Sequence, residues 1–229
     1  LILSKIYLEN LIGEKSVKCF LENLFFAKDF FEEDNVPRKL TKESQIGLYG
    51  EIYVLSKILA KKLANELAIY SWTGPSKKHD FTTENKLIEV KTTVTNTKKI
   101  NTSSTNQIAP VFDKRLELVF LQMKKSNTGL SLNEIIDEYT NKLKSESELL
   151  HNDFLLKLTQ CNYLDMHREE YKEKYLIDKS NFYEIRENFP YIKRVETPLA
   201  ISDLSITYKI DLDKCEEFRI NEDNFLEKL

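Results

Sequence analysis

Apolar residues recur at helical spacing at Leu48, Ile52, Leu55, Leu59 and Leu63, which predicts one long helix from Ser44 to about Leu67. Before it, Leu1 to Phe31 is rich in Leu, Ile and Phe and reads as one or two helices, joined by a Pro37-containing linker from Glu32 to Thr41. After it, Ile69 to Trp72 reads as a short strand stopped by the turn signal Thr73-Gly74-Pro75. The period then changes to two. From Leu87 to Lys91, Ile88 and Val90 point to one side while Leu87, Glu89 and Lys91 point to the other, the pattern of a half-buried strand. Thr92 to Ala109 is polar with little periodicity, whereas Leu116 to Met123 is an apolar run of strand length, expected to be buried on both faces. Leu132 to Leu143 and Leu149 to Cys161 read as amphipathic helices, and Phe182 to Ile185 and Ser205 to Leu212 as late strands. A helix, a hairpin, a strand, helices and further strands in this order imply an α/β or α+β sandwich around a mixed sheet.

Composition narrows this picture. With 41% hydrophobic and 31% charged residues among 229, the chain has the makings of a folded globular protein rather than a disordered one. No apolar run approaches the ~20 residues that span a bilayer. Cys19, Cys161 and Cys215 are odd in number and far apart, which fits neither a disulfide framework nor a zinc pattern and suggests a reduced, cytoplasmic protein. The chain opens on Leu1 rather than Met, so a preceding N-terminal part is expected. The net charge of −3 would argue against a nucleic-acid partner, but its distribution does not. Seven basic residues face two acids between Lys91 and Ser126, and thirteen acids face eight bases between Leu130 and Phe189. Segregated charge of this kind can make a basic face on an acidic protein, although two solvated surfaces would read the same way.

The candidate chemistry lies in the hairpin. If Glu84-Asn85 form a two-residue turn, Asp80 lies opposite Glu89, and carboxylates held across a strand pair with Cβ atoms roughly 5 Å apart repel unless compensated. A divalent cation is a natural compensator, and Lys91 points into the same place. Glu-x-Lys alone means little, since Glu84-x-Lys86 and Glu170-x-Lys172 also match, but only Glu89-x-Lys91 interleaves with β-branched core residues. An edge strand's solvated Glu–Lys pair has the same pattern. Glu51 adds a third carboxylate: at ~100° per residue it falls within the apolar arc between Leu48 and Leu55, where a charge must be paired or bound to metal. Gly47 and Gly50 beside it would permit close approach of another backbone. His79 flanks the site as a hydrogen-bonding neighbour, Trp72 packs beneath the hairpin, and His151 and His167 lie in acidic helical segments. The hydroxyls, amides and lysines that follow, among them Thr92, Lys98 and Lys99, are of the types that contact phosphates and sugars.

In order along the chain, Gly47-Leu48-Tyr49-Gly50-Glu51, Trp72-Thr73-Gly74-Pro75, His79-Asp80-Phe81, Glu89-Val90-Lys91-Thr92, Asn106-Gln107, Asn188-Phe189-Pro190 and Ile206-Thr207-Tyr208-Lys209-Ile210-Asp211-Leu212 resemble the PD-(D/E)XK nuclease superfamily. More narrowly they resemble a prokaryotic PD-(D/E)XK-motif group found in restriction-like, phage-defence gene clusters. His79 stands where the nominal motif has proline. The resemblance implies a restriction-endonuclease-like core, with a helical segment over 1–40, the nuclease-like domain over 41–229 and a helical insertion at about 130–175. It implies Mg²⁺, with Mn²⁺ able to substitute, on Asp80, Glu89, Glu51 and the Val90 carbonyl, and Lys91 as the catalytic lysine. Gln107 would contact substrate or that lysine. The implied activity is metal-dependent hydrolysis of DNA, in a homodimer or with other defence-system subunits. The alternative is a catalytically inactive nuclease fold that binds DNA or serves as a scaffold.

Overall fold

The computed structural model describes residues 38–75, 77–102, 108–109, 113–192 and 207–229. Helix α1 (Lys42–Tyr53) opens on Thr41, whose hydroxyl oxygen accepts the Ser44 N–H at 3.1 Å and satisfies one amide of the first turn. The helix runs on through a π turn (Val54–Ile58) and a 3-10 turn (Leu59–Lys61), then stops. The stripe predicted for it holds, with Leu48, Ile52, Leu55 and Leu59 buried. The single helix to Leu67 and the strand at Ile69 to Trp72 do not. A second helix, α2 (Asn65–Ser71), occupies that segment. Asn65, Ala68, Ile69 and Trp72 are buried at helical spacing while Leu67 and Tyr70 face solvent, a period that a four-residue apolar run is too short to reveal.

The two-residue turn at Glu84-Asn85 is present, closed by Thr83 N–H donating to the Lys86 carbonyl at 2.9 Å. It joins β1 (Phe81–Thr82) to β2 (Lys86–Thr93). Strand β3 (Lys99–Thr102) lies within the segment that shows no periodicity. Strand β4 (Arg115–Ser131) contains the expected buried run from Leu116 to Met123 and extends well beyond it. Helices α3 (Leu132–Glu146) and α4 (Glu148–Gln160) follow. A capping box between Ser131 and Glu134 starts α3 directly off the strand. The late strand read at Phe182 to Ile185 is the end of a longer strand, β5 (Lys174–Ile185), which follows a 3-10 turn. Strands β6 (Tyr208–Asp211) and β7 (Arg219–Ile220) and helix α5 (Glu222–Leu226) complete the described residues. The expected helices over 1–31 lie outside them.

The main sheet has the order β1-β2-β4-β5-β7, with β2 and β4 parallel and the other pairs antiparallel. It is the mixed sheet flanked by helices of an α/β, restriction-endonuclease-like fold. A two-stranded sheet, β3-β6, lies apart from it in hydrogen bonding. On one face of the main sheet Ile88, Val90, Val119 and Leu121 pack with the helices. On the other, Leu116, Leu118, Phe120, Tyr183 and Ile185 pack with Ile100, Ile210 and Phe218. That double burial explains why Leu116 to Met123 reads as a continuous apolar run.

Helix α1 meets β2 at Gly50. A Cβ built there would fall 1.8 Å from Thr92 Oγ1, so Gly50 is required by a side chain packed against it, whereas nothing lies within 4 Å of a Cβ at Gly47. Gly50→Ala is therefore expected to destabilise the protein by about 1–3 kcal/mol through overpacking, measured by urea denaturation, and Gly47→Ala to cost no overpacking. Equal midpoints for the two variants would contradict the contact.

The basic segment is neutralised by its neighbours. Because β4 pairs antiparallel with β5, Lys124 meets Asp178 at 2.6 Å and Arg115 meets Glu184 at 3.5 Å, while Lys125 pairs with Glu173. Lys98 is held by Asp213 at 3.0 Å and Glu216 at 3.2 Å. Charges segregated along the chain are thus interleaved in space. The basic face expected there is not formed by these residues.

Candidate active site

Three separate pieces of chain carry the site. The loop leading to Asp80 is pinned at its base. Trp72 bridges Phe81, Thr73 N–H donates to the Asp80 carbonyl at 3.0 Å, and the Thr73 hydroxyl donates to the His79 carbonyl. Gly74 in that loop has φ +67°, a conformation that favours glycine. The pairing of Phe81 with Ile88 and Thr82 with Leu87, continued by one residue, sets Asp80 across from Glu89, as the two-residue turn predicts. Asp80 Oδ2 accepts the Val90 N–H at 2.7 Å, which orients one oxygen.

Glu89 is 1% exposed, and its Oε1 lies 2.7 Å from Lys91 Nζ. His79 Nδ1 lies 3.6 Å from Glu89 Oε2, close but beyond hydrogen-bond distance, with the ring buried. Glu51 reaches in from α1, where its Oε2 accepts the Trp72 indole N–H at 2.8 Å. Trp72 is fully buried beneath the hairpin, as expected, but it also holds a carboxylate, a role the sequence does not disclose.

Electrostatics tie these residues together. Burial pushes the Glu51 carboxyl up to about 7; the negative charge of Glu89 adds to this, while the Trp72 hydrogen bond and the Lys91 charge oppose it. Burial, then Glu89, then Glu51 hold Asp80 well above the usual carboxylate range, against the Val90 N–H and Lys91. Three acids and one lysine thus share one electrostatic environment.

A cavity of about 640 Å³ opens onto Glu51 and Asp80. Its walls include Lys77 and Lys78 on the pinned loop and Gln160, Cys161 and Asn162 at the end of α4. The paired lysines next to Asp80 are visible in the sequence; the α4 end, some eighty residues away, is not.

The other candidates fall elsewhere. Thr92 follows Ile88 and Val90 toward the helices and packs against Gly50, so it is a packing residue rather than the substrate contact expected of it. Lys98 is committed to Asp213 and Glu216. Lys99 is exposed on β3, and Gln107 lies outside the described residues.

The sequence of the chain has a counterpart among known families. A family model described as "Putative PD-(D/E)XK family member" matches residues 13–213, most of the chain. The chain belongs to this PD-(D/E)XK family. No curated protein and no solved structure matches it. The family brings a nuclease-like fold, and nucleases of the PD-(D/E)XK superfamily generally use divalent metal ions and act on DNA. Among the described residues no helix is long and apolar enough to cross a membrane.

The donor set suits a hard cation. Among the described residues no three His, Cys, Asp or Glu side chains form a ready-made cage, but Mg²⁺ takes one or two carboxylates and keeps its waters. Asp80 and Glu89, oxygen donors whose mutual repulsion a cation would relieve, meet that requirement.

The raised carboxyls carry a sign that can be checked in metal-free protein. Glu51 and Asp80 titrate higher in the folded state than in the unfolded chain, so the native state binds more protons between about pH 4 and 7. Stability from this source is present at low pH and lost as pH rises through about 7. The melting temperature in EDTA is expected to fall from pH 5.5 to 8, and Glu51→Gln to flatten that fall. Identical profiles for wild type and Glu51→Gln would count against the strained cluster.

Proposed function

We propose that this chain is a Mg²⁺-dependent DNA endonuclease of restriction or anti-phage defence, with Mn²⁺ able to substitute. The observation that carries the reading is the convergence of Glu51, Asp80, Glu89 and Lys91 from a helix, a pinned loop and a strand onto one electrostatic cluster. Asp80 and Glu89 would hold the ion, with Glu51 bound directly or through water and the Val90 carbonyl as a further ligand. When bound, the ion supplies polarisation of the scissile phosphate and a more acidic water.

The protein's own groups do the rest. The Val90 N–H and the Trp72 indole fix Asp80 and Glu51 so that little reorganisation accompanies reaction. Glu89 holds the Lys91 ammonium beside the site, where it orients the attacking water and offsets negative charge developing on the phosphate. Water oxygen bonds to phosphorus as the bond to the leaving oxygen breaks, the proton lost by the water passes to solvent, and the leaving oxygen takes one from solvent to become a hydroxyl. Lys77 and Lys78, exposed on the cavity wall, contact the DNA backbone, as does Lys99.

One site per chain cuts one strand, so double-strand cleavage would use a homodimer or other defence-system subunits. Cys161 and Cys215 are free thiols, which suits a reducing cytoplasm. The test is incubation of wild-type protein with plasmid DNA in Mg²⁺, in Mn²⁺ and in EDTA. Nicking or linearisation with either metal and none in EDTA is expected. DNA bound but intact with both metals would replace the enzyme with a non-catalytic DNA-binding subunit.

A further inference from the structure

A second cavity, of about 280 Å³, lies on the face of the sheet that carries Glu89 and Lys91. Strand alternation sets its position. Leu87 packs on the second core cluster, so Glu89, Lys91 and Thr93 share that face. Leu118 and Phe120 belong to the same cluster, which places Gln122 there as well, and Tyr183 does the same for Asn181 and Lys179. In the sheet register Lys91 pairs with Phe120, Thr93 with Gln122, and Gln122 with Lys179. Moving along β2 from the catalytic lysine, the next position on this face is therefore Thr93, beside Gln122 at the cavity wall.

The intervening surface is polar and ordered by its own hydrogen bonds. The hydroxyls of Thr93 and Thr95 lie 2.9 Å apart and those of Thr95 and Thr97 3.0 Å apart, while Thr95 N–H donates to Thr93 Oγ1.

Two features of the cavity point to a ligand. Gln122 is 8% exposed, its Nε2 donates to the Thr95 carbonyl only at 3.4 Å, and its Oε1 is buried with no hydrogen-bond partner among the described residues. Asn181, diagonal to it in the sheet, 3% exposed and not part of the cavity lining, has its Nδ2 without a partner among the described residues. Buried side-chain amides are ordinarily satisfied, so the Gln122 amide at the cavity wall, held by one long contact, is left to turn toward a ligand. The second feature is charge. Lys98 is taken by Asp213 and Glu216, and Lys124 by Asp178, but Lys179 is exposed and has no ion pair among the described residues.

We propose that the cavity bounded by Thr95, Asn96, Gln122 and Lys179 holds one nucleotide of the substrate strand outside the scissile phosphodiester. The Gln122 amide reads a donor on its base and Lys179 contacts its phosphate. Glutamine is suited to this because its amide matches the donor–acceptor edge of a purine, and the volume is near the lower end for ligand pockets, about 300 Å³. Gln122 is then a specificity-determining residue. The assignment rests on the nuclease reading above, yet can be tested apart from it.

Two measurements decide it. In the first, the side-chain amide resonances of Gln122, assigned by their loss in Gln122→Met, are followed by NMR in metal-free protein while dinucleotides differing in base, or inorganic phosphate, are added. Base-dependent shifts are expected. In the second, the cleavage products of a randomised DNA duplex are sequenced for wild type, Gln122→Met and Lys179→Gln. Gln122→Met is expected to lose about tenfold in preference at one position near the cut, and Lys179→Gln to raise KM several-fold with kcat unchanged. If wild type cuts nothing, the nuclease reading fails while the NMR measurement still decides the cavity. No shift with any dinucleotide, the same shift with phosphate alone, or unchanged preference and KM in both variants would overturn the proposal and leave a site for water or an anion.

Discussion

Lys91→Ala is expected to lower DNA cleavage by on the order of 10²–10⁴-fold while leaving DNA binding in place. Its ammonium is the cation in contact with Glu89, at 2.7 Å, and its side chain is 23% exposed, so it can reach both the acids and a substrate phosphate. The loss has a second component. The Lys91 charge holds down the raised titrations of Glu51 and Asp80. Without it both carboxyls rise further, more of each is protonated at pH 7, and divalent-cation affinity falls.

Raising the pH returns charge to them, since a raised carboxyl regains its charge above its own pKa. Metal binding by Lys91→Ala, followed by calorimetry with Mn²⁺, is therefore expected to recover with pH while cleavage does not. Asp80→Ala differs in losing both together, because it removes a ligand. Plasmid cleavage surviving in either variant at a rate near wild type would sink the mechanism. So would recovery of full activity by Lys91→Ala at high pH, since that would leave the lysine with a purely electrostatic effect on the acids.

Lys86→Met is expected to destabilise the fold by about 3–5 kcal/mol, a larger loss of stability than Gly50→Ala. Lys86 and Glu117 are both 0% exposed and lie 3.0 Å apart, on adjacent parallel strands. The ammonium also donates to the Phe225 carbonyl and lies 5.3 Å over the Phe225 ring, fastening helix α5 to the sheet. Removing it strands Glu117 in a site that already pushes its carboxyl above the usual range, chiefly by burial.

The sign follows from that direction. Glu117 is easier to protonate folded than unfolded, and more so without its lysine, so the native variant binds the extra proton and gains stability as pH falls. The deficit of Lys86→Met is expected to be larger at pH 8 than at pH 5, read from urea midpoints. Lys86→Met/Glu117→Leu, which leaves no buried charge, is expected to fall within about 1 kcal/mol of wild type. A single variant as stable as the wild type, or a deficit independent of pH, would show that the pair does not carry this energy.

Local chemistry in the chain made the hairpin of the candidate site legible. A two-residue turn fixes antiparallel register, so the opposition of Asp80 and Glu89 followed from counting, and the period of two placed Lys91 on the face of Glu89. Glu51 was legible for a related reason, because a carboxylate within an apolar helical arc must find a partner or a metal. The errors arose where the signal was short or where it required a neighbour. Four residues at Ile69 to Trp72 do not distinguish strand from helix, and Asn65, Ala68, Ile69 and Trp72 reveal their spacing only when seen buried together. The Thr92 hydroxyl has the chemistry of a ligand contact, but it packs against Gly50. The basic run from Lys91 to Ser126 could not disclose its partners, which lie far along the chain and meet it through β5, the residue before it and the turns after β6.

By itself, then, the sequence determined the elements with long, clean periods, the hairpin register, and the identity and spacing of the acids and lysine, all of which depend on interactions within a few residues. Only the tertiary structure decided which charges remain available to a substrate, that Trp72 holds Glu51, that the end of α4 walls the cavity over Asp80, and that the buried Gln122 amide lines a second cavity beyond Lys91. Those depend on which distant segments pack together, and pairing between segments is set by the burial of whole faces rather than by any local pattern of residues.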